Sequence, residues 1–453
     1  MFEFIPLGGA VEIGSSCFYL NIQGTGIILD CGMHPRKTGL DALPQLGLIA
    51  NKNVDFVLIS HAHHDHIGAL PFLVKLFPYV KIYSTAQTRS IADITLHNTV
   101  SILEEQLKDI PDIKPYTHGE IEILIKSINF VDYNEIIEIS GWRAEHKTPI
   151  KISFWDAGHI LGAAAFLIES ENEKIFYTGD INLSDQAVIK GAELPNVKID
   201  VLIQESTYGA TNSNELQSWW VEAKRLALKM NKVFENQGSV LIPVFSLGKM
   251  QEMLLTISIL MERNDLIKAD IYTGGIGKKI NRIYDNYRYT SRRVDSEVSI
   301  SDLSQVDIYE LKSLNRLLKN PSVLLLPSGM MVKGTLSYNY GMEFLKRDNF
   351  GIFLVGYMDT DTPGYHISNS ETDSKIILQD KQEIMVRCKV ENFKFSAHSR
   401  REELLEIVNK LMPDRVIFIH GEEDAINWLG ESILNKYPKI KANFVSNGKV
   451  YFF

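Results

Sequence analysis

A chain of 453 residues, 45% of them hydrophobic and 23% charged, has ample apolar material for a core and reads as two folded domains or one domain with an insertion. A net charge of −9 argues against a broadly basic nucleic-acid-coating protein and confines any RNA contact to a local groove. Cys17, Cys31 and Cys388 are too scattered for a disulfide framework or zinc knuckle. The N-terminus lacks a signal-peptide pattern, and no apolar run reaches the ~20 residues of a membrane span, so a cytoplasmic protein away from membranes is expected.

In chain order, Cys17–Ile22 and Ile27–Asp30 form a hairpin around Gly24-Thr25-Gly26, and Val54–Ser60 is a short β-leaning run that feeds a histidine cluster. Ile152–Trp155, Ala165–Ile168, Ile175–Thr178 and Val201–Ile203 continue the strand pattern, while Glu120–Ile150 reads as hairpins and loop. After Tyr208 the texture changes. Leu216–Phe234, Gly248–Met261 and Val306–Leu318 have helical spacing; Ser239–Pro243, Asp270–Thr273, Val323–Leu326 and Gly351–Val355 are strand-like. Such alternation describes βα units around a parallel sheet. From Phe393 the order is helix (Arg401–Leu411), strand (Arg415–His420) and helix (Ala425–Lys436). Breaks near 208 and 392 therefore divide the chain into 1–208, an insertion at 209–392, and a return to the first fold over 393–453.

His61-Ala62-His63-His64-Asp65-His66 packs four of the 12 histidines into one stretch just after a strand. A loop there can curl several donors around one point, and imidazole with carboxylate suits Zn²⁺ and tolerates Mn²⁺. The spacing assigns His61 and His63 to one ion and Asp65 and His66 to another, with His64 pointing away. His159, Asp180 and His420 each follow an apolar strand. Singly, such residues are usually caps or turn formers; together they line one sheet edge. A binuclear site results: His61, His63 and His159 on one ion, Asp65, His66 and His420 on the other, Asp180 between.

These residues resemble the motifs of the metallo-β-lactamase superfamily, with Asp30 in Leu29-Asp30-Cys31-Gly32 as the first. Glu205-Ser206-Thr207-Tyr208-Gly209, Phe395-Ser396-Ala397-His398 and Ile419-His420-Gly421-Glu422 are similar to motifs A, B and C of the β-CASP nucleases. The branch resembled is the endonuclease subunit of the cleavage and polyadenylation specificity factor and its prokaryotic homologues, with RNase J more distant. The resemblance runs the whole length and includes Ile242–Gly248 and Ser328–Met331, with no further domain expected on either side. It implies an α/β fold: an αββα metallo-β-lactamase sandwich with an inserted β-CASP domain, a parallel sheet flanked by helices.

The function so implied is a zinc-dependent ribonuclease hydrolysing phosphodiester bonds through a hydroxide bridging two metals. It is endonucleolytic, with 5′-exonucleolytic action at the same site left open. Asp65 and Asp180 serve the metal chemistry, His398 protonates the leaving ribose oxygen, and Glu205 fixes the His398 tautomer. The bland alternative is that His398 caps the helix starting at Arg401. His at position 420 follows the RNA-acting members of the family. Ser246-Leu247-Gly248 opens a helix after a strand, which reads either as an ordinary N-cap serine or as backbone N–H groups that hold a phosphate; Ser328 and Gly329 stand where the family meets nucleic acid, and Arg400 where it often has Asp. Thr360-Asp361-Thr362 is a second departure, so the substrate channel differs. Lys278–Arg293 interleaves basic and aromatic residues, which reads either as a solvated helix face or as an RNA contact. RNA is the expected partner, with a homodimer or a larger RNA-processing complex compatible. The rivals are a thioesterase or lactonase on the same fold, a DNA nuclease and a non-catalytic scaffold.

Overall fold

Short buried runs at the N-terminus pair with their sequence neighbours: β1 (Phe2–Gly8), β2 (Cys17–Ile22) and β3 (Thr25–Leu29) are antiparallel. The β2–β3 turn is Gln23-Gly24, with φ of 51° and 86°. Two consecutive positive φ values match the strand twist, and Gly supplies the second without strain. β4 (Phe56–Leu58), β5 (Lys81–Ser84) and β6 (Ile128–Phe130) add in parallel to β3, and Tyr451–Phe452 pairs with β1, completing a seven-stranded sheet.

A second seven-stranded sheet contains β7 (Ile136–Ile139), β8 (Ile150–Asp156), β9 (Ala164–Glu169), β10 (Lys174–Tyr177), β11 (Val201–Glu205) and the C-terminal strands Arg415–Ile419 and Lys441–Phe444. Phe4, Phe18 and Leu29 of the first sheet share one buried core with Phe154, Phe166 and Ile203 of the second. Helices Ala86–Gln106 and Glu423–Lys436 accompany the two sheets, giving the αββα layering expected. Because β8, β10, β11 and Arg415–Ile419 all run the same way, their C-terminal ends share one edge.

The computed structural model describes residues 2–106, 116–142, 149–311, 316–317, 320–378 and 383–453. The sandwich unit takes in 1–184, 191–213 and 398–453; a second compact unit takes in 185–190 and 214–397. The second unit is built on six parallel strands: β12 (Val240–Pro243), β13 (Asp270–Thr273), β14 (Val306–Asp307), β15 (Ser322–Leu326), β16 (Gly351–Leu354) and Lys389–Asn392. Every residue of β12 and β15 is buried, which is why these runs read as continuous apolar stretches.

Two expectations are corrected. Glu120–Ile150 is not all hairpin and loop: His118–Ser127 is a helix, opened by a capping box in which Thr117 and Glu120 satisfy each other's backbone N–H. Val306–Leu318 does not begin as a helix. Val306–Asp307 pairs beside β13 and Ile308–Glu310 is a 3₁₀ turn, while residues 312–315 and 318 of that expected helix lie outside the described residues. No described helix is long and apolar enough to cross a membrane.

Candidate metal centre

Five strand ends supply the site. β4 runs into the loop holding His61 and His63, and a short helical turn, His64–Ile67, follows it. His159 follows β8, Asp180 follows β10, Glu205 ends β11 and His420 follows Arg415–Ile419. Between β8 and His159, Gly158 takes φ +66°, and a Cβ there would strike the backbone of Asn182 and Ala192, so only glycine turns the chain this tightly. His420 itself is left-handed, φ +48°, and its N–H donates to the Gly9 carbonyl at 2.7 Å.

The donors fall into groups. In one, His61 Nε2 and His159 Nε2 lie 3.0 and 3.1 Å from His63 Nδ1, with Asp180 Oδ2 3.6 and 3.7 Å from His61 and His159. In the other, Asp65 Oδ2 is 3.3 Å from His420 Nε2 and 3.8 Å from His66 Nε2. Asp180 Oδ1 lies 3.3 Å from both His66 Nε2 and His420 Nδ1. All seven residues named from the sequence thus converge. His64 stands outside both groups, its ring lying against Gly68, where a Cβ would leave it only 2.7 Å.

His63 Nδ1 has room for one proton or one lone pair yet faces two ring nitrogens, and buried Asp180 Oδ1, 3.3 Å from two more, makes no well-directed hydrogen bond. One cation in each group answers both problems, so the donor set fits divalent ions. The electrostatics agree. Burial alone would raise the Asp180 carboxyl, yet the His420 and His66 imidazoles hold it well below the usual carboxylate range. Burial, reinforced by His66, pushes the His61 imidazole well below its ordinary value, leaving it neutral and able to ligate.

Beside these groups, His398 Nδ1 lies 2.9 and 3.2 Å from the two Glu205 oxygens. Glu205 is fully buried and also accepts the Ile181 N–H at 2.8 Å, so one carboxylate anchors both His398 and the residue after Asp180. Burial works against a charged His398, but the Glu205 carboxylate prevails and lifts its pKa to about 8. The capping alternative fails: Arg400 is the N-cap of Arg401–Leu411, and its N–H donates to Glu403 at 2.8 Å. Arg400 is thereby placed at a helix start. Asp180, Glu205 and His398 also form a third potential ligand group, although Glu205 already occupies Nδ1 of His398.

In the second unit, Ser246 and Gly248 follow β12 and Ser328 and Gly329 follow the adjacent β15; Gly329 packs on Phe245, next to Ser246. The basic run is less uniform than a solvated face. Arg293 is 4% exposed and its backbone bridges Ile189, while Lys278 pairs with Asp307 at 2.9 Å. Arg293 is therefore not available as an RNA contact. Ser60, Tyr177 and Thr207 went unnoticed in the sequence. Thr207 Oγ1 lies 3.2 Å from His420 Nδ1, and only its adjacency to Glu205-Ser206 hinted at it.

A two-sheet sandwich with imidazoles and carboxylates gathered at one strand edge defines a metallo-hydrolase fold of the metallo-β-lactamase class. Residues 19–207 match the metallo-beta-lactamase superfamily domain, 250–367 the Beta-Casp domain, and 383–443 the Zn-dependent metallo-hydrolase RNA specificity domain. The chain belongs to the β-CASP family of the metallo-β-lactamase superfamily. It is 32% identical to the RNase J-like protein of Methanocaldococcus jannaschii over 92% of this chain and 91% of that one. It is 30% identical to cleavage and polyadenylation specificity factor 73 of Drosophila melanogaster and to subunit 3 of that factor in Dictyostelium discoideum, over 96% and 97% of this chain. It spans 62% and 55% of the lengths of those two relatives. A crystal structure of a protein of unknown function from Enterococcus faecalis V583 shares the fold, with TM-score 0.59, 14% identity and 99% of both chains covered.

Proposed function

We propose that this chain is a metal-dependent ribonuclease that hydrolyses RNA phosphodiester bonds with two divalent ions, Zn²⁺ above all, held by His61, His63, His159 and by Asp65, His66, His420, with Asp180 between. The carrying observation is that these seven donors fall into two groups around one shared carboxylate, with the His398–Glu205 pair beside them. Two bound ions would supply ionised water at neutral pH, its pKa lowered from about 16 to about 7, and positive charge opposite a phosphate oxygen. The rest is done by the chain's own residues. Glu205 accepts the Nδ1 proton of His398, which leaves Nε2 to carry the proton for the departing ribose 3′-oxygen. Glu205 also ties down Ile181, so the acid and the shared carboxylate move as one piece. A thioesterase or lactonase needs neither Glu205 nor His398, and their pairing favours the phosphodiester reading over those rivals.

The names of the relatives, an RNase J-like protein and a polyadenylation factor subunit, support RNA as substrate and allow partner proteins. The test is metal-loaded protein with end-labelled RNA bearing 5′-triphosphate, monophosphate or hydroxyl, beside single-stranded DNA of equal sequence and a small ester. Internal cuts in RNA are expected, absent with Asp65→Ala. Products confined to 5′-monophosphate RNA would mark 5′-exonucleolytic action. Cleavage of the ester with inert RNA would overturn the reading.

A further inference from the structure

A second pair of imidazoles meets on the surface of the sandwich unit, on two helices that carry none of the seven metal donors. His97 stands midway along helix Ala86–Gln106, and His118 is the first residue of helix His118–Ser127. Their Nδ1 atoms are 2.6 Å apart, and the rings lie 4.9 Å centre to centre at an angle of 20°. Asp93, one helical turn before His97, brings its Oδ1 to 3.4 Å from His97 Nε2. The His118 side is open to solvent, and Asp93 is 53% exposed.

The backbone that presents these rings is held in place. Tyr116, two residues before His118, is fully buried, its ring 5.3 Å from Phe72 and its hydroxyl 3.3 Å from the Gly68 carbonyl. The Thr117–Glu120 capping box then closes the first helical turn around His118. On the other helix, Leu96 and Val100 are buried to either side of His97 and fix which face it lies on. The two rings are therefore brought together from elements anchored independently.

A carboxylate only accepts, so Asp93 draws the His97 hydrogen to Nε2 and leaves Nδ1 as a bare lone pair. That lone pair points straight at a second Nδ1. One shared proton can bridge such nitrogens, but a cation can take its place. An ion about 2.0–2.1 Å from each nitrogen would open their gap toward the 3.0 and 3.1 Å found between imidazole nitrogens in the metal centre. Exposed rings can rock that far. A ligating histidine whose other nitrogen is held by a carboxylate is also the arrangement that strengthens the ligand.

We propose that His97 and His118 form a further cation site, apart from the metal centre, in which both Nδ1 atoms ligate one transition ion while Asp93 orients His97. Imidazole donors suit Zn²⁺, Ni²⁺ or Cu²⁺ rather than Mg²⁺ or Ca²⁺, and water fills the remaining positions. The site is independent of the two-ion reading above.

Crystals soaked in Zn²⁺ should show an anomalous scattering peak within ligand distance of both Nδ1 atoms, and the peak should vanish in His118→Ala. In calorimetric titration with Zn²⁺, the parent protein should show one binding event more than His97→Ala or His118→Ala. Asp93→Asn should weaken that event by about 10–100-fold, and all three variants should cleave RNA as the parent does. Zn²⁺ peaks confined to the metal centre overturn the proposal, as does Zn²⁺ uptake that is equal in the parent and His118→Ala. An imidazole ¹⁵N spectrum in which the pair keeps its shared proton in excess Zn²⁺ overturns it too.

Discussion

In the sandwich unit the buried ionisable groups at the strand ends face one another and share a centre, with Asp180 serving both donor groups. In the second unit the strand ends carry Ser246, Gly248, Ser328 and Gly329 instead, and its buried charges lie elsewhere. Glu252 is 1% exposed and accepts the Val188 and Ile189 N–H groups at 2.6 and 3.1 Å. The Arg293 guanidinium is buried with none of its three nitrogens hydrogen-bonded, 4.0 Å from Asp285. Both units thus pay for buried charge, but among the described residues only the first arranges it so that a divalent ion would relieve it. The chemistry proposed above accordingly belongs to the sandwich, while the buried charges of the insertion hold its own segments together.

Substitutions should separate the two kinds of buried charge. The largest effect is expected from Asp180→Ala, which removes the oxygen common to both donor groups: RNA cleavage should fall to background and bound metal should drop in elemental analysis. Full metal content would deny Asp180 its shared role. Next, His398→Ala should slow cleavage by about 10²–10⁴-fold with metal content unchanged; loss of metal would instead make His398 a ligand.

Glu252 probes the other unit. Burial, only partly offset by the Val188 and Ile189 N–H groups, raises its pKa from an ordinary 4.5 to about 7. The folded protein therefore binds this proton more tightly than the unfolded chain does. The associated stability is present below about 4.5 and is lost as pH climbs through about 7, on the order of 3 kcal/mol in all. Melting curves of the parent protein and Glu252→Gln should diverge over that window and run parallel above it; parallel curves throughout would refute the assignment. The smallest effect is expected from Arg293→Met, which replaces an unbonded guanidinium by a similar apolar volume and should leave stability unchanged or raise it by about 1 kcal/mol. A clear loss in denaturant unfolding would show that the guanidinium is bonded after all.

The metal donors were legible because four of them sit in one short loop and the rest follow apolar strands, a pattern that local sequence preserves. The His398–Glu205 pair was legible only by family resemblance, since 193 residues separate them. Asp30 was legible by family resemblance but its partners were not: the Tyr177 hydroxyl, 2.6 Å from its carboxylate, is 147 residues away, and a tyrosine in an apolar strand looks like core. Arg293 was misread because a basic, aromatic-studded run ordinarily marks a wet surface, and nothing local reveals its pairing with Ile189. The helix His118–Ser127 was missed although Thr117 and Glu120 announce it, because the stretch behind it reads as irregular.

Residues 185–190 leave the loop that carries Asp180, join the second unit through Glu252 and the 292–294 segment, and return at Gly191. The insertion is consequently not a cassette. Splicing Ser213 directly to His398 would strand Val188 and Ile189 without their acceptor, a few positions from the shared carboxylate. A shortened descendant of this chain would have to rebuild that loop in the same step, which ties the inheritance of the two units together.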